Sequence, residues 1–174
     1  MNCDHDVPIF LSAKAGSFSG VPQRTVQAWT EKGLVGSTGT TGSGKRRRYS
    51  VLNCVEIAIV QSLAQDRLSI KLIGIIMEKL RQGCPLTLKK TLELEYPSYL
   101  VVLFPCTMDI PVLNPKVYCI SRVSYGCESK SLTRFRRYWA AISVPNSKTL
   151  ALNLTCVSSK AIKKIVDSGE RVIF

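Results

Sequence analysis

The first part of the chain repeats apolar residues every three to four positions, the spacing that predicts amphipathic helices. Pro22 suits the first turn of a helix and Gly33 suits a helix end, so these two residues delimit the second predicted helix. Ser50 and Ser69 are favourable N-caps for the two helices that follow. The predicted helices cover residues 9–18, 21–32, 52–65 and 70–80, and Trp29 falls on the apolar side of the second, where we expect it to lie in the core.

The second part of the chain favours strands, because Gly83, Cys84 and Pro85 end the helical pattern. Ser158 is placed to cap a closing helix over residues 161–168, with Gly169 at its end. Before that helix, period-two alternation and short apolar runs predict strands over residues 91–96, 98–104, 116–124, 138–144 and 150–155. We therefore predict an α+β fold in two domains, residues 1–83 and 84–174, the second a small α+β domain with an antiparallel sheet.

A segment without apolar residues separates the second and third predicted helices. Residues 36–44 contain only Gly, Ser and Thr, and four consecutive cations follow from Lys45 to Arg48. We predict that residues 35–49 form a wing, a hairpin with the Gly/Ser/Thr run at its tip. An exposed helix beside a flexible, strongly basic loop is typical of a DNA-binding unit.

The segment from about residue 8 to residue 83, somewhat under half of the chain, resembles the winged helix-turn-helix domain of MerR-type regulators. Two residues depart from the family pattern: Gly16 stands where alanine is usual, and Gln27 where many members have arginine. Phage excisionases share a shorter form of the same domain. The matching landmarks are Gly20-Val21 at the turn, residues 24–29 on the recognition helix, Gly33-Leu34-Val35 at its exit, and Arg47-Arg48-Tyr49-Ser50 at the end of the wing.

Within this unit, two sets of side chains are the predicted contacts to double-stranded DNA. Side chains of a helix can bind base edges in the major groove, and the wing cations can neutralise phosphates. By the resemblance, Arg48 and Tyr49 match family positions that grip the backbone, whereas Gln27 lacks the cation for one phosphate contact. The predicted contacts are Gln23, Arg24, Thr25 and Gln27 on the helix, and Lys45, Arg46, Arg47, Arg48 and Tyr49 in the wing.

The charge balance favours an anionic partner. The chain has 24 Lys and Arg against 12 Asp and Glu, a net charge of +12. Residues 1–83 carry +5 and residues 84–174 carry +7, so both predicted domains are basic. Nucleic acid is the partner that such an excess predicts.

A second basic segment, residues 130–139, interleaves cations with aromatic residues between two predicted strands. It could hold a nucleic-acid backbone, line a pocket for an anionic effector, or be a solvated loop whose Phe135 and Trp139 face the core. The cations of this candidate anion site are Lys130, Arg134, Arg136 and Arg137.

Metal binding and catalysis receive little support from the sequence. Cys84, Cys119 and Cys127 fall at a spacing similar to that of mercury-type MerR members, but the five prolines between residues 85 and 115 interrupt the long helix that such a site needs. The seven cysteines are expected to be thiols. His5 is the only histidine and lies in a predicted N-terminal tail, so the sequence offers no nucleophile–histidine pair of the usual sort, and we predict no metal, no cofactor and no enzymatic activity.

These features predict a sequence-specific transcription regulator of bacterial or phage type. The acidic N-terminus and the lack of a long apolar run predict a cytoplasmic protein without a membrane span. The second domain would dimerise, bind an effector, or both, and a homodimer is the simplest arrangement. Two alternatives remain open: an excisionase-like architectural or recombination factor, and a DNA-bound adaptor that recruits another protein through its second domain.

Overall fold

The computed structural model describes residues 7–37, 47–83, 98–104, 116–121 and 148–169. The helices in these residues are α1 (Ser12–Ser19), α2 (Gln23–Glu31), α3 (Val51–Gln65), α4 (Ile70–Gly83) and α5 (Leu154–Asp167). The strands are β1 (Phe10–Leu11), β2 (Arg48–Tyr49), β3 (Ser98–Phe104), β4 (Lys116–Ser121) and β5 (Lys148–Asn153).

The first helix begins at Ser12, three residues later than the apolar spacing predicted. Phe10 and Leu11 instead form β1, which pairs antiparallel with β2 so that Phe10 lies opposite Tyr49 and Leu11 opposite Arg48. The end of the wing therefore pairs with the residues that precede α1. Residues 38–46, including the predicted hairpin tip, lie outside the described residues.

The turn between α1 and α2 depends on two glycines. Gly20 ends α1 at a φ of +70°, a conformation that glycine adopts without strain. The Val21 N–H donates to the Gly16 carbonyl over 2.9 Å, and a Cβ at Gly16 would collide with the Val21 carbonyl oxygen. Glycine at this position, where the family usually has alanine, thus leaves room for the two backbone segments to approach each other.

The predicted caps of α3 and α4 are confirmed. Ser50 Oγ accepts the Asn53 N–H over 3.2 Å, and Asn53 Oδ1 accepts the Ser50 N–H over 3.0 Å, which forms a reciprocal capping box. Ser69 Oγ accepts the Leu72 N–H over 3.3 Å. These bonds fix the starts of both helices close to where the sequence predicted them.

The second part of the chain contains the predicted antiparallel sheet, with the strand order β4-β3-β5. Leu100 of β3 lies opposite Cys119 of β4 and Leu152 of β5. The strands predicted over residues 91–96 and 138–144 lie outside the described residues.

The closing helix begins at Leu154, well before the predicted residue 161. Its N-cap is Asn153, whose Oδ1 accepts the Cys156 N–H over 2.9 Å, so the predicted cap at Ser158 is wrong. Asparagine and serine are both good N-caps, and the earlier one allows Leu154 to be buried within the helix. Ser158 lies instead in the helix interior, where its hydroxyl is buried and has no hydrogen-bond partner among the described residues.

Helix α5 returns to the N-terminal helices and packs against both α3 and α1. Nearly every side of α3 is buried as a result, including Cys54, Ile57 and Val60. Burial without a charged partner raises the pKa of the Cys54 thiol to about 12. One cluster of buried side chains therefore joins β1 and α1–α4 to β3 and α5, although the boundary near Gly83 remains a prediction. Among the described helices, none has the length and apolarity needed to cross a membrane.

Candidate nucleic-acid interface

Helix α2 has a buried side and a polar side. Val26 and Trp29 are buried against the core, as predicted for Trp29. Gln23 and Arg24 at the start of the helix are exposed, while Thr25 and Gln27 are half-buried. The four predicted helix contacts thus lie near the N-terminal end of α2: Gln23, Arg24 and Gln27 share the side opposite Val26 and Trp29, whereas Thr25 lies toward the buried side.

The first residue of α1 holds two of these side chains. Ser12 is buried, and its Oγ accepts the Gln23 side-chain amide over 3.1 Å and that of Gln27 over 3.5 Å. Both glutamines therefore donate a hydrogen bond to the same hydroxyl, and these bonds restrict their side-chain torsions. A restricted glutamine loses less conformational entropy when it binds a base edge.

Arg24 is the cation of this surface. Its side chain is exposed and makes no ion pair or hydrogen bond within the described part of the chain. A guanidinium in this state can form a bidentate pair with a guanine or with a phosphate without first breaking an internal contact.

The exit of the wing, residues 47–49, is held by strand pairing and by a buried tyrosine. Tyr49 is 0% exposed, and its hydroxyl lies 3.0 Å from Thr30 Oγ1 on α2. This placement puts Tyr49 in the core rather than on the surface where a phosphate would bind. Arg48 is exposed, and Arg47 lies 3.5 Å from Glu31 at the end of α2.

The entry of the wing, residues 33–36, is held by a charged pair that was not among the predicted site residues. Glu56 of α3 is 3% exposed, and its Oε1 accepts Arg81 Nε of α4 over 2.7 Å. Its Oε2 accepts Arg81 Nη2 over 3.3 Å and the Gly36 N–H over 2.7 Å. Both carboxylate oxygens are therefore paired, as burial of a carboxylate requires.

Arg81 uses the rest of its guanidinium on the same backbone segment. Its Nη1 donates to the Gly33 carbonyl over 2.9 Å and its Nη2 to the Leu34 carbonyl over 2.6 Å. Gly33 has a φ of +71°, and a Cβ at Gly36 would lie 2.9 Å from Asn53 Nδ2 and 3.2 Å from Glu56 Oε2. The missing side chain at Gly36 thus admits the carboxylate, and the segment is fixed on both sides.

The signal for this pair was present in the sequence. Glu56 is the only charged residue in the apolar run of α3, residues 51–60, and a carboxylate in such a run requires a partner. The sequence could not identify that partner, because Arg81 lies 25 residues away on the next helix.

Several predicted site residues lie outside the described residues. They include the wing cations Lys45 and Arg46 and two of the cysteines considered for metal binding, Cys84 and Cys127. Cys119 lies on β4, and the described residues contain no group of three metal-binding side chains. The candidate anion site also lies wholly outside them, with Lys130, Arg134, Arg136 and Arg137.

Residues 13–80 match the family model of MerR HTH family regulatory proteins. The match spans α1 to α4, including both ends of the wing, and leaves the sheet and α5 unmatched. No curated protein matches the chain. The match identifies an N-terminal MerR-type helix-turn-helix domain and indicates a DNA-binding transcription regulator.

Proposed function

We propose that this protein, whose residues 13–80 form a MerR-type helix-turn-helix domain, is a sequence-specific transcription regulator that binds double-stranded DNA. Helix α2 enters the major groove, and the wing binds the flanking phosphates. The protein acts in the cytoplasm and needs neither a catalytic residue nor a cofactor for this role.

The observation that carries the proposal is the arrangement of α2. Its apolar side is buried on Val26 and Trp29, while Gln23 and Arg24 are presented to solvent at the N-terminal end. In helix-turn-helix proteins, that end of the recognition helix contacts the base edges. Glutamine and arginine are the side chains that form bidentate pairs with adenine and guanine, respectively.

The wing supplies the second element of the proposal. Arg47 and Arg48 lie directly before the buried Tyr49, and the sequence places Lys45 and Arg46 before them. Four adjacent cations release several counterions on binding DNA, so the affinity should fall steeply with salt. Tyr49 contributes indirectly in this proposal, because it holds the exit of the wing to Thr30 of α2.

We further propose that the protein binds DNA as a homodimer through the sheet. In the part of the chain that the structure describes, β4 and β5 each pair only with β3, and an unpaired strand edge can pair with a second copy. A dimer would recognise two half-sites, which multiplies specificity. The sheet is also where we place binding of an effector or a partner protein.

Arg24→Ala tests the base-reading role. The variant should lose about 1–3 kcal/mol of binding free energy on its selected site, and less on mixed-sequence DNA. Sites are first selected from genomic fragments with the purified protein, and dissociation constants are then measured by fluorescence anisotropy. Lys163→Ala, an exposed lysine on α5, is the control with the same change in charge.

Equal losses on the selected site and on mixed-sequence DNA would reduce Arg24 to a phosphate contact. A protein that selects no sequence would contradict the proposal itself. A footprint on the selected site adds the test of symmetry, since a homodimer should protect two inverted half-sites.

A further inference from the structure

We infer that Glu56 and Arg81 form a positioning pair for DNA binding: they hold the entry of the wing in the orientation from which its cations reach the phosphates. This inference rests on the proposed function and extends it to residues that do not themselves touch DNA. We call Glu56–Arg81 the entry pair.

The entry pair joins three elements. Glu56 belongs to α3, Arg81 to α4, and the groups that they bond belong to the wing entry, residues 33–36. Each bonded group in that segment is backbone: the carbonyls of Gly33 and Leu34 and the N–H of Gly36. Hydrogen bonds to backbone fix the path of the chain whatever its side chains are.

The wing entry, residues 33–36, lies where it can set the direction in which the wing leaves α2. Gly36 is the first residue of the Gly/Ser/Thr run, which offers no side chains for packing and leads directly to Lys45–Arg48. The exit of the wing is fixed to α2 and β1 by Tyr49. When both ends of a segment are fixed, binding has less conformational entropy to remove, and the affinity rises.

The entry pair is better suited than an apolar contact to fixing how α3, α4 and the wing entry are oriented relative to one another. The guanidinium is planar and bonds the carboxylate through two nitrogens, so the angle between α3 and α4 at this point is defined. Leu34 adds a second constraint, because it is buried and a Cβ on Gly74 of α4 would lie 3.3 Å from its Cδ2.

Glu56→Gln is the first test, because the inference and simple electrostatics predict opposite changes in the affinity for DNA. The substitution raises the net charge by one, so electrostatics alone would strengthen binding to DNA. The inference predicts the opposite, because the neutral amide cannot accept from Arg81 and Gly36 as the carboxylate does. Affinity for a short mixed-sequence duplex should fall about tenfold at low salt, and the slope of log Kd against log salt should flatten by about one.

Glu78→Gln is the matched control. Glu78 is an exposed carboxylate on α4 that accepts only the Gln82 amide, over 3.1 Å, in the described residues. It undergoes the same chemical change and the same change in charge, one turn before Arg81 on the same helix, and its one hydrogen bond in the described residues is not to the wing entry. It should bind the duplex as tightly as the wild type or slightly tighter, with an unchanged slope.

Arg81→Lys is the second variant, in case Glu56→Gln does not fold. The ammonium keeps the charge beside Glu56 but cannot bond the carboxylate and two carbonyls in the planar arrangement of the guanidinium. The slope should flatten as for Glu56→Gln. Arg67→Lys, in the exposed turn between α3 and α4, is its control.

A background with a neutral wing separates positioning from general destabilisation. In Arg46→Gln/Arg47→Gln/Arg48→Gln, the wing has lost the contacts that the entry pair is inferred to position, so adding Glu56→Gln or Arg81→Lys should change the affinity little. An equal fold-change in both backgrounds would overturn the inference and leave the pair a purely structural role.

The failures of the inference and of the proposed function are distinguishable. If the wild type binds the duplex with a steep salt dependence that the neutral wing flattens, but Glu56→Gln behaves as Glu78→Gln does, the inference alone is wrong. If the wild type does not bind DNA, or if neutralising the wing leaves the slope unchanged, the proposed role of the wing is wrong and the inference falls with it.

Discussion

The two ends of the wing are each held beside an Arg–Glu pair, and the two pairs have very different surroundings. At the entry, Arg81 and Glu56 share two bonds of 2.7 and 3.3 Å, with exposed side-chain fractions of 32% and 4%, so the difference between the two pairs lies in the glutamate. At the exit, Arg47 and Glu31 meet at a single contact of 3.5 Å, with exposed side-chain fractions of 26% and 64%.

The burial of the glutamate decides whether each Arg–Glu pair is permanent or exchangeable. A carboxylate that has lost its water must keep its partner, so the entry pair is a fixed part of the structure. An exposed pair exchanges its partner for water at little cost, so Arg47 can release Glu31 and bind a phosphate instead. The entry defines the wing's direction, and the exit supplies one of its cations.

Arg81→Met should give the largest loss of stability among the changes that test this difference. It leaves the Glu56 carboxylate buried without its cation, and the free energy of unfolding should fall by about 3 kcal/mol. Urea denaturation followed by circular dichroism measures the loss. Arg47→Met is the matched control at the exit and should cost less than about 1 kcal/mol, since its pair is exposed. Equal losses would contradict the distinction between the two ends.

Tyr49→Phe tests what holds the exit in place of an ion pair. Thr30 Oγ1 donates to the Val26 carbonyl over 2.8 Å, so the Tyr49 hydroxyl is the donor in the 3.0 Å contact with Thr30. Removing it should lower the free energy of unfolding by about 1 kcal/mol. Combining it with Thr30→Val in a double-mutant cycle isolates the bond, and a coupling energy near zero would show that Tyr49 acts only through packing.

Glu31→Gln should have the smallest effect on stability, below about 0.5 kcal/mol in urea denaturation and less still in high salt. Its effect on DNA binding should have the opposite sign to that of Glu56→Gln. Removing Glu31 frees Arg47 and takes away a negative charge, so affinity for a mixed-sequence duplex should rise slightly at low salt. A loss of affinity would mean that Glu31 positions Arg47 rather than competing for it.

Local chemistry made much of the fold predictable from the sequence. Ser50, Ser69 and Gly33 act through hydrogen bonds or backbone torsions within a few residues, and each has the predicted role. The amphipathic spacing of α2 likewise placed Trp29 in the core. Strands were predicted over residues 98–104 and 116–124 from their local pattern, and β3 and β4 occupy residues 98–104 and 116–121.

Contacts between distant segments could not be predicted in the same way. The pairing of β1 with β2 overrode the helical spacing of Phe10 and Leu11, and the packing of α5 selected Asn153 over Ser158 as its cap. The sequence did carry one usable hint, since α3 is apolar on almost every side and a helix of that kind is buried all round. The sequence could not show that α5 is the helix that packs on the remaining side of α3.

The return of α5 to α1 and α3 also has a consequence for how the protein is made. On the ribosome, α1 to α4 are synthesised before α5, and until α5 arrives the nascent chain carries an uncovered apolar helix α3. We therefore expect that the nascent chain needs protection from aggregation during this interval. Helices α1 to α4 acquire their full core only after the closing helix has left the ribosome, so the first part of the chain cannot complete its packing before the second part is made.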